Sequence, residues 1–192
     1  IGKSPALQHV RKTIEKVGPT NSRVFLLGPA GVGKELAARD LHRQSKRQGG
    51  AFLVCHCKSD CEQSIDEQLF GVESTAHAQR KVGFLEQAHG GTLFFDEITE
   101  LSLKAQAKLV RFLHEQTFTR EGGNRKVVVD VRIMAATKYD IKAAIEDGRF
   151  REDLYYRLNV ISLALPSLKE TLDDIPELVS YFVERLSRQI DV

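Results

Sequence analysis

The chain has 192 residues, enough at roughly 100–200 residues per domain for one domain, or one domain and the start of another. Its composition, 42% hydrophobic and 28% charged, excludes fibrous, collagen-like and disordered chains. A formal net charge of +2 sets up no global field toward nucleic acid or an anionic membrane, so partners have to be argued from sites.

Taken in chain order, apolar strands alternate with helical segments, which is an α/β rhythm. Val24–Leu27 is wholly apolar and ends at Gly28, and a glycine-rich turn then leads into a helix expected over 34–46. Further strands are expected over 51–55, 92–95, 131–136 and 160–165, the last closed by Pro166, which cannot donate to a ladder. The continuous hydrophobicity of the central runs fits strands covered on both faces, and the connection lengths make most of the five parallel. Leu103–Glu115 reads as a helix, and Gly122-Gly123-Asn124 as the turn of a β-hairpin after it. Over 172–190 apolar residues recur at helical spacing, so residues 1–166 are expected to form the α/β unit and 167–192 the beginning of a helical lid.

Cys55, Cys57 and Cys61 are too few and too close together for a disulfide framework, and they read as buried thiols at a strand end in a reducing compartment. No apolar run is long enough to span a bilayer, and no secretory signal layout opens the chain. The expectation is therefore a cytoplasmic protein with no membrane partner.

The sharpest motif is Gly28-Pro29-Ala30-Gly31-Val32-Gly33-Lys34-Glu35, the G-x-x-x-x-G-K spacing of a P-loop placed between a strand and a helix. Glycines allow backbone N–H groups to converge on phosphates, the helix N-terminus adds partial positive charge, and Lys34 brings an ammonium to the β/γ-oxygens. Glu35 stands where a magnesium-binding Ser or Thr is usual, which makes its carboxylate a magnesium candidate. The strand ending Phe94-Phe95-Asp96-Glu97 supplies Asp96 for magnesium and Glu97 as general base. Arg151 and Arg157, in FREDLYYRL, read as arginines supplied in trans to a neighbour's γ-phosphate, which implies an oligomer.

These motifs in this order resemble the AAA+ ATPase domain of bacterial enhancer-binding proteins, the sigma-54-dependent transcription activators. The resemblance runs from Ile1-Gly2-Lys3-Ser4 through GPAGVGKE, QLFG, GGTLFFDEI, DVRIMAAT and GRFREDLYYRLNV to LPSLKETLDDIPEL. It implies a three-layer α/β/α P-loop NTPase with ATP and Mg²⁺ as ligands. Ile1 and Gly2 would then lie near the adenine, and Arg151 and Arg157 would be arginine fingers. It also implies a ring, usually a hexamer, that couples hydrolysis to remodelling of sigma-54 RNA polymerase, with DNA bound through a domain outside this chain.

Three departures qualify what it implies. The family's GAFTGA loop is absent, since 74–82 reads STAHAQRKV and is too short to hold it. His56 stands where the family places an asparagine that holds the catalytic glutamate, a role in which the histidine would bond Glu97. The segment after Ala135-Ala136-Thr137 reads Lys138 in place of asparagine, which puts a cation near the γ-phosphate. Thr137, Lys138 and His56 are thus the expected sensor and switch positions.

Two functions follow. One is an ATP-binding switch whose occupancy drives ring assembly while hydrolysis and sigma-54 remodelling are weak or lost. The other is an active ATPase ring that remodels RNA polymerase or another partner. A small-molecule P-loop kinase leaves the FREDLYYRL block unexplained. Arg39, Arg43, Lys46 and Arg47 read as a solvated helix face and not as a nucleic-acid surface.

Overall fold

A computed structural model describes residues 2–57, 64–73 and 80–190. The chain runs α1 (Pro5–Val17), β1 (Val24–Leu27), α2 (Lys34–Arg43), β2 (Phe52–His56), α3 (Ile65–Phe70), α4 (Phe84–Gln87), β3 (Thr92–Asp96) and α5 (Leu103–Glu115). There follow β4 (Thr117–Thr119), β5 (Lys126–Val128), β6 (Arg132–Thr137), α6 (Ile141–Glu146), α7 (Glu152–Leu158), β7 (Ile161–Ala164) and α8 (Ile175–Ile190). The five expected strands form one sheet in the order β2-β3-β6-β1-β7, and every neighbouring pair is parallel. β4 and β5 make the expected antiparallel hairpin.

Alternation along the strands divides the core into two layers. Phe25, Leu93, Phe95, Ile133 and Ala135 pack with Phe70, Leu109, Phe112 and Leu154 on one face. Val24, Leu26, Phe94, Met134 and Ala136 pack with Ile14, Ala38 and Leu41 of α1 and α2 on the other. The result is the three-layer α/β/α arrangement.

Local chemistry sets the helix starts. Ser4 caps α1 by accepting from Leu7 N with Pro5 at the first position, Ser102 caps α5 by accepting from Ala105 N, and Asp140 caps α6. The helix expected over 34–46 ends earlier, at Arg43, where Ser45 turns its hydroxyl onto His42 O at 2.6 Å. Short 3-10 turns occupy Leu168–Glu170 and Leu172–Asp174, so α8 begins only at Ile175.

Arg132 is the largest fully buried side chain. Its guanidinium donates to Gly18 O at 3.0 Å, Ser22 O at 3.1 Å and Val17 O at 3.3 Å. It thereby ties the sheet to the carbonyl end of α1, where a cation also complements the helix dipole.

Candidate functional site

Because the sheet is wholly parallel, all its carboxyl ends lie on one edge, the usual ligand side of an open α/β sheet. The P-loop leaves β1 there, Asp96-Glu97 leave β3 and Thr137-Lys138 leave β6. Gly31 (φ 79°) and Gly33 (φ 93°) hold left-handed backbone that L side chains rarely adopt, so the loop's path requires glycine. Gly33 caps α2, whose N-terminus faces the loop.

Lys34 is buried, and its Nζ donates to Gly28 O at 2.9 Å and Pro29 O at 3.0 Å. The ammonium also lies 3.4 Å from Glu97 Oε1. The other oxygen of Glu97 accepts from Lys138 N at 3.0 Å. Glu97 itself sits at φ 56°, a strained position for a side-chain-bearing residue that swings its carboxylate off the strand line toward Lys34. The P-loop lysine, the proposed base and the end of β6 are thus joined in one chain of contacts.

His56 does not meet Glu97 as expected. Its Nδ1 lies 3.2 Å from Asp96 Oδ2, because His56 and Asp96 are register partners on adjacent parallel strands and therefore share a face. Lys138 also differs from expectation: its ammonium lies over the Tyr139 ring, 4.9 Å from the centroid, and only its backbone N–H reaches Glu97. Contact with Tyr139, then the charge of Glu97, holds the Lys138 ammonium above its ordinary range. Thr137 exchanges a hydrogen bond of 2.9 Å with Thr99 and accepts from Tyr139 N. The Glu35 carboxylate turns along α2 to Arg39, at 2.7 Å, and away from the Lys34–Glu97 pair.

Among the described residues neither Arg151 nor Arg157 makes a hydrogen bond or ion pair with this cluster. Arg151 is exposed and pairs with Asp153 at 2.7 Å, and its backbone N–H donates to Gln106 Oε1. Arg157 is in the last turn of α7, near Arg23, whose ordinary pKa is lowered by burial and then by the Arg157 charge. Arg23 precedes β1 and its carbonyl accepts from Ile161 N at the start of β7, so Arg157 sits toward the amino ends of these strands, opposite the P-loop.

Cys55 and Cys57 are buried at the end of β2, and burial pushes the Cys57 thiol well above its usual range. Cys61, Ile1 and 74–79 lie outside the described residues. The residues flanking that last segment are described: Val72 and Lys81 pair antiparallel through bonds of 2.9 and 3.0 Å.

Two supporting residues escaped the sequence reading. Gln106, fully buried on α5, donates to Leu101 O and Arg149 O while holding Arg151 N. The available signal was a glutamine on an otherwise apolar helix stripe with Leu109 and Leu113. Asp174 accepts from Lys3 N at 2.5 Å and Ser4 N at 2.9 Å, and a Cβ on Gly2 (φ 101°) would lie 2.6 Å from its Cγ. The segment after Ile1 is therefore fixed against the turn before α8.

The family described as the sigma-54 interaction domain matches residues 1–164. The chain is 45% identical over 188 residues to the nitrogen assimilation regulatory protein NtrX of Azorhizobium caulinodans, covering 98% of this chain and 41% of that protein. To the Nif-specific regulatory protein of Azotobacter vinelandii it is 44% identical over 192 residues, covering 98% and 37%. Among solved structures, NtrX from Brucella abortus in complex with ATP superposes with a TM-score of 0.93 at 41% identity, covering 100% of this chain and 44% of that one. The chain spans less than half the length of these relatives. With the family match spanning residues 1–164 and relatives 44–45% identical over nearly the whole chain, the chain belongs to the sigma-54 interaction domain family.

Proposed function

We propose that the chain is the ATP-binding AAA+ domain of a bacterial transcription regulator of the sigma-54-activator type, cytoplasmic and assembled into nucleotide-dependent rings, taken as hexamers from the family. The observation that carries this reading is the continuous contact from the P-loop carbonyls through Lys34 to Glu97 and on to Lys138 N. Such a lysine, already desolvated and held at the mouth of a glycine loop, is placed to exchange Glu97 for phosphate oxygens.

In this reading the P-loop N–H groups and the α2 N-terminus bind the phosphates, and Lys34 neutralises the β/γ-oxygens. Asp96 would hold magnesium, which supplies charge neutralisation at the phosphates; its oxygens fit as hard donors, and Glu35 reaches the ion only after leaving Arg39. Glu97, released from Lys34, orients and deprotonates the attacking water. Arg151 and Arg157 act on the neighbouring copy's site, and the place of Arg157 toward the amino ends of β1 and β7, opposite the P-loop, supports an action in trans. Residues 1–166 form the α/β unit and 167–192 open the lid, whose α8 exposes Val179, Phe182, Val183 and Leu186.

Remodelling of sigma-54 RNA polymerase is weak or lost, because the sequence of 74–82, STAHAQRKV, lacks the GAFTGA motif. DNA is bound through a domain outside this chain. Among the described residues no helix is long and apolar enough to cross a membrane.

The test is ATP affinity and steady-state hydrolysis over a range of protein concentrations. Binding with negligible turnover at every concentration supports the switch. Turnover that rises steeply with concentration supports an active ring ATPase instead, a reading favoured by the position of Glu97 beside Lys34. Absence of ATP binding overturns both.

A further inference from the structure

Outside the nucleotide site, charge is concentrated where residues 71–73 and 80–81 meet the β4–β5 hairpin. Glu73 N donates to Glu121 O at 3.0 Å and Glu121 N to Gly71 O at 2.9 Å, so the loop base and the hairpin are stitched side by side. Arg120, buried between them, makes three bonds to Glu86 and one to Glu73. Its charge is neutralised, and it acts as the strut of the junction.

Beside this strut opens a cleft of about 490 Å³ lined by Glu73, Arg80, Arg120, Asn124, Arg125 and Lys126. The lining carries four cations, Arg80, Arg120, Arg125 and Lys126, whose partners among the described residues are Glu73, Glu86 and Glu115. Arg125 has no hydrogen bond or ion pair among the described residues. Among the described residues Arg80 reaches only Glu86, at 3.4 Å, which Arg120 already engages, and the ion pair of Lys126 with Glu115 is long, at 3.7 Å. The four cations exceed these three carboxylates by one, and Arg125 carries that charge at the edge of an open cleft. No aromatic ring lines it, so it offers no stacking platform for bases and suits anionic groups alone.

We propose that this cleft binds consecutive phosphate groups, with the backbone of a nucleic acid strand as their source. The contact is independent of sequence, because phosphate contacts carry no base information. It shares no residue with the P-loop site and stands whether or not that site turns over ATP.

The test uses the 192-residue chain carrying Lys34→Ala, which removes P-loop anion binding from the readout. Anisotropy of a labelled mixed-sequence oligonucleotide, single-stranded and duplex, is followed across salt concentrations. Arg80→Ser with Arg125→Ser is expected to weaken binding at least about tenfold and to flatten the slope of log K against log salt by about 0.7–0.9 per cation lost. Both positions are exposed, and unchanged thermal melting verifies the fold. The comparison variant, Arg39→Ser with Arg43→Ser, removes two cations from the ion-paired face of α2 and should leave binding within about twofold. Equal losses in both variants, or none in the first, overturn the site. Binding of tripolyphosphate without binding of the oligonucleotide overturns the nucleic-acid source. Displacement of the oligonucleotide by polyglutamate at equal charge assigns the cleft to acidic protein and overturns the phosphate reading.

Discussion

His56 and Asp96 are paired in register on adjacent parallel strands, and their side chains meet at 3.2 Å while Glu97, one residue later, swings to Lys34. The two neighbouring carboxylates are thereby divided: a ring engages Asp96 and the P-loop cation engages Glu97. For a divalent cation at Asp96, His56 is a competitor. His56→Asn should lower the Mg²⁺ concentration needed for half-maximal nucleotide binding, by up to about fivefold, since exposed pairs contribute about 0.2–1 kcal/mol. Titration of Mg²⁺ at fixed nucleotide measures this, and an unchanged midpoint means the ring does not contend for Asp96.

Separation of Arg157 from the Lys34 cluster makes sharing of the site between copies directly testable. Arg157→Ala chains should bind nucleotide normally and lose turnover by about 10³-fold or more if the arginine acts on the γ-phosphate. Lys34→Ala chains should fail to bind. Mixing the two should restore part of the activity, because a Lys34→Ala copy still presents Arg157 to its neighbour. Mixtures no more active than their components would place both residues in one chain's site.

His42 sets a pH dependence for stability. Its Nδ1 lies 2.9 Å from Thr92 Oγ1 inside the α2–sheet layer, and burial, with the Arg132 charge adding, lowers its pKa against an opposing hydrogen bond at Gly50. The unfolded chain, titrating near 6.5, then binds the proton that the folded chain refuses. Stability is full above about pH 6.5 and falls as pH drops below it. His42→Gln should reduce the difference between urea midpoints at pH 7.5 and pH 5.5; an identical difference would assign the acid sensitivity to other groups.

Much of this architecture was legible because the strands are continuous apolar runs punctuated by Gly28, Gly91 and Pro166, and each lies within a residue or so of its expected place. Leu103–Glu115 was legible for the related reason that Leu109, Val110 and Leu113 share one face at helical spacing. α3, α4 and α6, of six, four and six residues, are too short to display a period. In α1 the core contact rests on Val10, Ile14 and Val17 alone, among many polar residues. The P-loop, the Asp96-Glu97 strand end and the arginine block carry their chemistry in adjacent residues and so could be read. What could not be read depends on register between distant segments: His56 beside Asp96, Gln106 under Arg151, and Asp174 against residues 3 and 4.

Arg132 belongs to that second group, and it carries the largest stability prediction. Burial, with the nearby Arg47 charge adding, pulls its pKa to about 10, so it is still a cation at neutral pH. Among the described residues no carboxylate pairs with it; the carbonyls of Val17, Gly18 and Ser22 accept from it instead. Arg132→Met relieves the buried charge and at the same time strands those carbonyls in an interior where each unpaired group costs about 1–3 kcal/mol. A net loss of about 3 kcal/mol is expected, against less than about 0.5 kcal/mol for Arg43→Met, whose side chain is exposed on α2. Arg132→Lys should recover only part of the loss, because an ammonium cannot span carbonyls that the planar guanidinium reaches from both ends. Urea unfolding of the three variants decides the matter: a loss below about 1 kcal/mol for Arg132→Met would mean that water takes over the end of α1.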